Sequence, residues 1–196
     1  MNHFYQNIQG WFTHPDFYRD VADFLPHINF QVAEVGVWKG QSFAFLGVEL
    51  CNRNKTGVMH AVDSFAGSEE HRPGGLAFDP ITVDRGALEK EFRRNIDPLR
   101  HDVLLRIDIH SMGSPQATSE FRDGQLDVCF IDAAHDYLSV TTDVTAWWPK
   151  VRSGGWLCGH DFSTQFPGVQ RAVRSFAERK RVMLMPASDC WLIGKP

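Results

Sequence analysis

Apolar runs that end at a polar residue or a glycine alternate along the chain with stretches whose apolar residues recur at helical spacing. The apolar runs predict buried strands, and the periodic stretches predict amphipathic helices. Predicted strands cover residues 30–37, 57–63, 102–108, 126–132, 154–161, 181–187 and 190–195. Predicted helices cover residues 40–52, 84–99, 114–124, 137–150 and 167–180.

This alternation predicts an α/β fold in which helices cover both faces of a mostly parallel sheet. The last two predicted strands are joined by the short sequence PASD. Because so short a connection makes a hairpin, one of the two strands must be antiparallel. The expected fold is a Rossmann-like, doubly wound sheet of seven strands, mostly parallel, with a C-terminal antiparallel hairpin.

We expect residues 1–196 to form a single domain, with an N-terminal helical segment at residues 1–28. Its aromatic stretch, HFYQNIQGWF, fits a core cap, a cover for an active site or a contact with another subunit. Residues 65–83 are rich in Gly and Pro and too long for a plain turn. They are either a lid that brings His71 to a substrate or a surface insertion.

Composition narrows the classes of function. The chain has 196 residues, 43% of them hydrophobic, and a net charge of −4 without a basic tract, which argues against a nucleic-acid partner. No apolar run approaches the roughly 18 residues of a membrane span, and the start lacks a signal-peptide pattern, so a cytoplasmic protein is expected. Cys51, Cys129, Cys158 and Cys190 form no C-x-x-C pair and are expected to be buried free thiols.

Acidic residues collect at one predicted edge of the sheet. Ligands of open α/β sheets bind outside the carboxyl ends of the parallel strands. The predicted strands bring an acid to this edge at Glu34, Asp63, Asp108, Asp132 and Asp161. Helix capping explains one or two such residues. Five carboxylates at one edge would repel one another unless a cation or the hydrogen-bond donors of a ligand compensate their negative charge.

The sequence EVGVWKGQS forms the first strand-to-helix turn. It departs twice from the dinucleotide pattern G-x-G-x-x-G, because Trp38 and Gln41 replace the second and third glycines. Its backbone N–H groups could still hold a carboxylate at the start of the helix. Asp63, at the end of the second strand, is placed to bind ribose hydroxyls, although an exposed loop aspartate would look the same.

A second group of polar residues follows the fourth and fifth predicted strands. Asp132, His160 and Asp161 combine carboxylates with an imidazole, which indicates a divalent metal site. His135 lies one helical turn after Asp132, close to the metal but not on it. Its ordinary pKa lies near neutrality, so it suits a general base; the alternative is that His135 and Asp136 only cap the next helix.

The remaining histidines carry less weight. His3, His14, His27 and His101 lie near predicted helix ends or loops, and we expect them at the surface. His60 interrupts an apolar strand and is expected to be a core or edge histidine with hydrogen-bond partners.

Taken together, AEVGVWKGQS, HAVDSF, FIDAAHDY, SGGWLCGHDF and PGVQRAV resemble the class I S-adenosylmethionine-dependent methyltransferases. The resemblance spans residues 30–173. It is strongest to the small metal-dependent O-methyltransferases found beside sugar and natural-product pathways, and more distant to catechol O-methyltransferase. The spaced combination FIDAAHDY, GG, GHDF and PGV is specific, whereas E-x-G-x-x-x-G alone is not.

The resemblance implies a role for each matching residue. S-Adenosylmethionine would be bound by Glu34, Gly36, Val37, Trp38, Gly40 and Ser42 at its methionine end, Asp63 and Ser64 at the ribose, Asp108 to Ser111 at the adenine, and Asp132 beside it. A divalent metal, with Mg²⁺ expected and Mn²⁺ or another ion as alternatives, would be bound by Asp132, His160 and Asp161. Because imidazole is a poor Mg²⁺ ligand, either the metal is softer or His160 lies outside its coordination sphere. His135 matches the general base.

The implied reaction is methylation of a hydroxyl on a small molecule, which could be a sugar, a phenol or a natural product. Two alternatives share the scaffold: a metal-independent methyltransferase, and an oxidoreductase or hydroxylase. A non-catalytic binding module is the third, and the clustering of Asp132, His135, His160 and Asp161 argues against it. Neither nucleic acid nor membrane is expected as a partner, and a homo-oligomer stays open.

Overall fold

A computed structural model of the protein describes residues 1–67, 73–75 and 78–196. Its strands are β1 (Ile28–Val35), β2 (Thr56–Asp63), β3 (Leu105–Ser111), β4 (Leu126–Ile131), β5 (Val151–Gly159), β6 (Leu184–Ala187) and β7 (Cys190–Gly194). Its helices are α1 (Pro15–Phe24), α2 (Gln41–Asn52), α3 (Arg85–Asn95), α4 (Asp97–Arg100), α5 (Ser114–Ala117), α6 (Tyr137–Trp147) and α7 (Pro167–Lys180). Short 3₁₀ turns cover Tyr5–Asn7, Pro80–Val83, Thr118–Glu120 and Trp148–Lys150.

Within these residues the strands form one sheet in the order β3-β2-β1-β4-β5-β7-β6. The pairs among β1 to β5 are parallel, and β7 is antiparallel to both β5 and β6. The predicted fold, including its C-terminal hairpin, is confirmed. The strand order reverses between β1 and β4, and a ligand crevice in such a sheet lies at this switch point.

The sheet separates two apolar clusters, as alternation along β4 illustrates. Val128 and Phe130 point into the cluster that contains the residues of α1 to α4. Cys129 and Ile131 point into the cluster with α6 and α7. The two pairs separate because successive residues of a strand face opposite sides of the sheet. The apolar stripe predicted on α7 is buried in the second cluster. All four cysteines are free and buried, as predicted.

Several predicted boundaries are wrong. β3 continues three residues past Asp108, since its pairing with β2 runs on until Asp63 faces Ser111. The helix predicted over 114–124 is only α5 and a 3₁₀ turn, and the one predicted over 84–99 divides at Ile96 into α3 and α4. β5 begins at Val151 rather than at residue 154.

The predicted N-terminal helical segment contains one regular helix, α1, preceded by an extended stretch and a 3₁₀ turn. The insertion predicted over residues 65–83 lies partly outside the described residues. His71, which was expected within it, is one of the residues that are not described. Its described end forms the turn Pro80–Val83, which leads into α3. No helix in the described parts of the chain is both long and apolar enough to cross a membrane.

Candidate active site

Two adjoining cavities open at the carboxyl edge of the sheet in the described part of the chain. The larger, about 460 Å³, lies between the N-terminal segment and the residues that follow β1, β4 and β5. The smaller, about 220 Å³, lies between the ends of β1 and β2 and the start of α5. Both are lined by Gly36, Trp38, Asp132 and Ala133. A ligand that occupied both cavities would therefore pass the turn after β1 and the side chain of Asp132.

The turn after β1 depends on glycine at two positions. Gly36 and Gly40 have φ values of +93° and +88°, which favour glycine over other residues. A Cβ on Gly36 would lie 2.0 Å from the carbonyl oxygen of Asp132, so glycine is required for the turns after β1 and β4 to touch. The predicted cofactor motif thus places the end of β1 directly against Asp132.

Asp63 fixes the backbone of this turn. Its carboxylate accepts hydrogen bonds from the N–H of Trp38 at 2.9 Å and from the N–H of Phe65 at 2.7 Å. Trp38 and Phe65 both have positive φ, and these bonds hold them in that less favoured region. Asp63 and Ser64 line the smaller cavity. Asp63 is therefore in the predicted place and also stabilises the turn.

Glu34 lies beneath the turn, only 2% exposed. The Ser42 hydroxyl donates to its Oε1 at 2.5 Å, and the Tyr18 hydroxyl is placed to donate to the same carboxylate. Burial raises the pKa of Glu34 to about 8, with the Ser42 hydrogen bond opposing it. A cationic group bound nearby would favour the ionised carboxylate.

Asp108 was predicted from a strand end that the structure places elsewhere. Its carboxylate accepts two hydrogen bonds from Arg106 at 2.8 Å, and neither Asp108 nor Ser111 lines either of the two cavities described above. Gly113 and Ser114, two and three residues beyond β3, line the smaller cavity instead. The physical basis for placing Asp108 at the edge of the sheet is thus wrong, and its contact with a cofactor stays a prediction.

The four polar residues after β4 and β5 meet in one cluster beside the larger cavity. Asp161 Oδ2 lies 2.9 Å from His135 Nε2, and Asp161 Oδ1 lies 3.1 Å from His160 Nδ1. His160 Nδ1 also lies 3.9 Å from Asp132 Oδ1. Single ligand atoms of Asp132, His135 and Asp161 lie within 4.8 Å of one another. The structure therefore brings the predicted base and all the predicted metal ligands together.

Charge in this cluster is divided unevenly. Burial raises the pKa of Asp132 to about 6, the charge of His160 opposing the shift and that of Asp161 adding to it. Burial also opposes ionisation of Asp161, but hydrogen bonds from His135 and His160 outweigh it and lower its pKa. His160 is likewise desolvated, yet its hydrogen bond to Asp161 and the charge of Asp132 raise its pKa. Asp161 is thus the charged partner of both histidines.

Asp136 accepts hydrogen bonds from the N–H groups of Leu138 and Ser139, each at 3.0 Å, and so caps α6. His135 lies one residue outside this cap, with its ring centroid 4.4 Å from that of Phe166, which also lines the larger cavity. Of these two residues, Asp136 is therefore the one that caps α6, and the role of His135 as a base stays a prediction.

The N-terminal segment supplies a wall of the larger cavity, which is one of the three roles left open for it, and it brings in His14, which sequence reasoning placed elsewhere. His14 was expected at the surface, but it is 8% exposed and its ring centroid lies 4.2 Å from that of His160. Burial, together with the charge of His160, lowers the pKa of His14 to about 3. Trp11 lies at the mouth with its ring 6.2 Å from that of Trp38. No local pattern marks such long-range contacts in the sequence.

Two side chains of the cofactor motif hold this segment in place. Gln41 accepts from the N–H of Phe12 at 3.0 Å and donates to the carbonyl of Ile8 at 2.8 Å. The buried ammonium of Lys39 donates to Gln9 at 2.7 Å and pairs with Asp79. Gln41, which replaces the third glycine of the dinucleotide pattern, therefore fixes the N-terminal segment by two hydrogen bonds.

This fold and site define a class I methyltransferase, and comparison with known proteins identifies the family. Residues 33–162 match the family model described as a methyltransferase domain, and the chain belongs to that family. The protein is an S-adenosylmethionine-dependent methyltransferase, as the resemblance implied.

Solved structures with the same fold include the O-methyltransferase NovP, 20% identical, with a TM-score of 0.63 over 92% of this chain and 78% of NovP. The calicheamicin methyltransferase CalS11 is 16% identical, with a TM-score of 0.62 over 91% of this chain and 76% of CalS11. MycE, from the mycinamycin pathway and solved with Mg and S-adenosylhomocysteine, is 16% identical, with a TM-score of 0.55 over 92% of this chain and 48% of MycE.

Proposed function

We propose that this protein is a divalent-metal-dependent O-methyltransferase that transfers a methyl group from S-adenosylmethionine to a hydroxyl of a small molecule. The observation that carries the proposal is the position of Asp132, which lines both cavities and belongs to the acidic cluster. A cofactor in the smaller cavity and an acceptor in the larger would meet at this residue.

The residues of the smaller cavity fit S-adenosylmethionine. Asp63 offers carboxylate oxygens to ribose hydroxyls, and Gly113 and Ser114 bound the cavity at the start of α5. The buried Glu34 lies below the turn that would face the cationic methionine end. These features support a cofactor whose adenosine lies by Asp63 and whose methyl group faces the larger cavity.

The acidic cluster fits a hard divalent cation. Two carboxylates with oxygens close to one another suit Mg²⁺ or Mn²⁺. Asp132 and Asp161 would hold the ion, and His160, whose Nδ1 lies 3.1 Å from Asp161 Oδ1, would lie outside its coordination sphere. The positive charge of the metal ion would also favour the ionised form of Asp132, which burial alone disfavours.

When bound, the metal ion would lower the pKa of the acceptor hydroxyl and the sulfonium would supply the methyl group. His135 is the proposed base. Its Nε2 lies 2.9 Å from Asp161 Oδ2 and would carry the hydrogen. In that tautomer Nδ1 has the lone pair that would accept the hydroxyl proton. Asp161 would stabilise the imidazolium that forms, while Trp11, Trp38 and Phe166 enclose the reacting groups and limit water.

The acceptor is proposed to be a sugar, a phenol or a natural product that carries a free hydroxyl. The larger cavity supports this class, because aromatic side chains at its mouth can cover the apolar face of a ring. One structural neighbour acts on TDP-rhamnose and another binds mycinamycin VI, which supports a sugar or natural-product acceptor.

A metal-independent methyltransferase is the second candidate, because the Asp161–His135 pair is complete without an ion. The two candidates are separated by measuring methyl transfer after treatment with a chelator. We expect the activity to be lost and then restored by Mg²⁺ or Mn²⁺. Activity that survives the chelator unchanged would favour the second candidate.

A further inference from the structure

His14 is buried in a way that calls for an unseen partner. It is 8% exposed, and both ring nitrogens lack a hydrogen-bond partner among the described residues. A buried polar group left without a partner is destabilising, and native structures rarely leave one unexplained. Its neighbours are the rings of Phe12, Tyr18, Phe130 and His160.

A second imidazole and a thiol converge on His14. A ring nitrogen of His14, a ring nitrogen of His160 and the Sγ of Cys190 lie within 4.8 Å of one another. They come from three separate parts of the chain: the residue before α1, the residue after β5 and the first residue of β7. His14 and His160 also line the larger cavity, which gives an ion a route from solvent.

The contacts of His160 set which of its nitrogens can bind an ion. Nδ1 lies 3.1 Å from Asp161 Oδ1 and is placed to donate its hydrogen to that carboxylate. This tautomer leaves the lone pair on Nε2, where the nearest partner is the Thr13 hydroxyl at 3.3 Å. A carboxylate that holds one histidine nitrogen while the other faces a metal is the usual support of a metal-bound histidine.

We propose that His14, His160 and Cys190 form a binding site for a thiophilic divalent transition-metal ion of the Zn²⁺ class, distinct from the acidic pair Asp132 and Asp161. One thiolate and two imidazoles are ligands that select such an ion over Mg²⁺. Binding converts the Cys190 thiol to a thiolate and releases one proton to solvent, with no change in oxidation state.

Co²⁺ tests this site because it substitutes for Zn²⁺ and gives visible absorption. We expect the metal-free wild-type protein to bind Co²⁺ with tetrahedral d–d bands and a near-ultraviolet charge-transfer band from the thiolate. Loss of an outer partner already costs a metal site about 10–100-fold in affinity, so His14→Ala should cost at least as much. Cys190→Ser should abolish the charge-transfer band.

Two variants serve as controls. Cys158→Ser alters another buried thiol, whose Sγ donates to the Cys129 carbonyl, and should keep the band. Asp132→Asn disables the acidic pair and should also keep it, so failure of this site and failure of the proposed function are separable. Circular dichroism establishes that each variant is folded, and His14→Ala decides the question if Cys190→Ser does not fold. A wild-type protein without the band, or a band unchanged in the folded variants, would overturn the proposal.

Discussion

Asp161 Oδ2 lies 2.9 Å from His135 Nε2, although the two residues belong to turns after different strands. Asp161 reaches this position with φ at +59°, a conformation that non-glycine residues rarely adopt. The register of β4 and β5, in which Ile131 faces Gly159, brings the two turns side by side. The proposed base is therefore oriented by a residue that also belongs to the proposed metal site.

Replacing the base should separate chemistry from binding. Removing a general base typically costs about 10²–10⁴-fold in rate, and we expect His135→Ala to lose kcat in this range. Affinity for S-adenosylhomocysteine, measured by calorimetry, should stay near wild type, because His135 lies outside the smaller cavity. Normal turnover in this variant would remove His135 from its role.

Asp63 and Asp108 form a matched pair for the cofactor. Asp63→Ala removes two backbone hydrogen bonds and any ribose contact, so it should weaken S-adenosylhomocysteine binding by roughly tenfold or more. Asp108→Ala removes a carboxylate paired with the exposed Arg106 and should leave affinity unchanged. If Asp108→Ala also weakens binding, the adenine role implied by the family resemblance is correct and our reading of the cavity is wrong.

Glu34 should make stability depend on pH. Its pKa is raised by burial to about 8, so the folded protein keeps a proton that the unfolded chain loses at lower pH. The stability that Glu34 contributes is greatest below its unfolded pKa and falls as the pH rises to about 8.

Glu34→Gln removes this titration and keeps an oxygen that can accept from Ser42. In urea unfolding, the variant should gain stability relative to wild type between about pH 5 and 8, on the order of a few kcal/mol at most. Glu120→Gln, at an exposed carboxylate, serves as the control. A difference between Glu34→Gln and wild type that does not change with pH would contradict this account.

Lys39 should support the fold around the cavity. Its ammonium is buried against Asp79, whose side chain is only 13% exposed. Breaking a buried ion pair from one side costs about 3–5 kcal/mol, so Lys39→Ala should lower the free energy of unfolding by an amount of this order. Lys150→Ala, which breaks a pair with the exposed Asp123, should cost less than about 1 kcal/mol. Equal losses in the two variants would show that the buried pair has no special weight.

The parts of the fold that could be predicted are those that repeat locally. The apolar runs of β1, β2, β4 and β5 and the stripe on α7 signal their structure in consecutive residues. β3 lies at the edge of the sheet with its later residues half-buried, so polar Asp108 and His110 hid its true end. His14 became buried through contacts with Phe130 and His160, more than a hundred residues away in the chain, which no local pattern records.

The most direct test of the central claim is a crystal structure with S-adenosylhomocysteine and Mn²⁺, using the anomalous signal of Mn²⁺ to locate the ion. We predict the ribose at Asp63, the homocysteine end against the turn after Gly36, and Mn²⁺ between Asp132 and Asp161. S-Adenosylhomocysteine in these cavities with no Mn²⁺ at the acidic pair would contradict metal dependence. A cofactor bound away from Asp63 would contradict the whole arrangement.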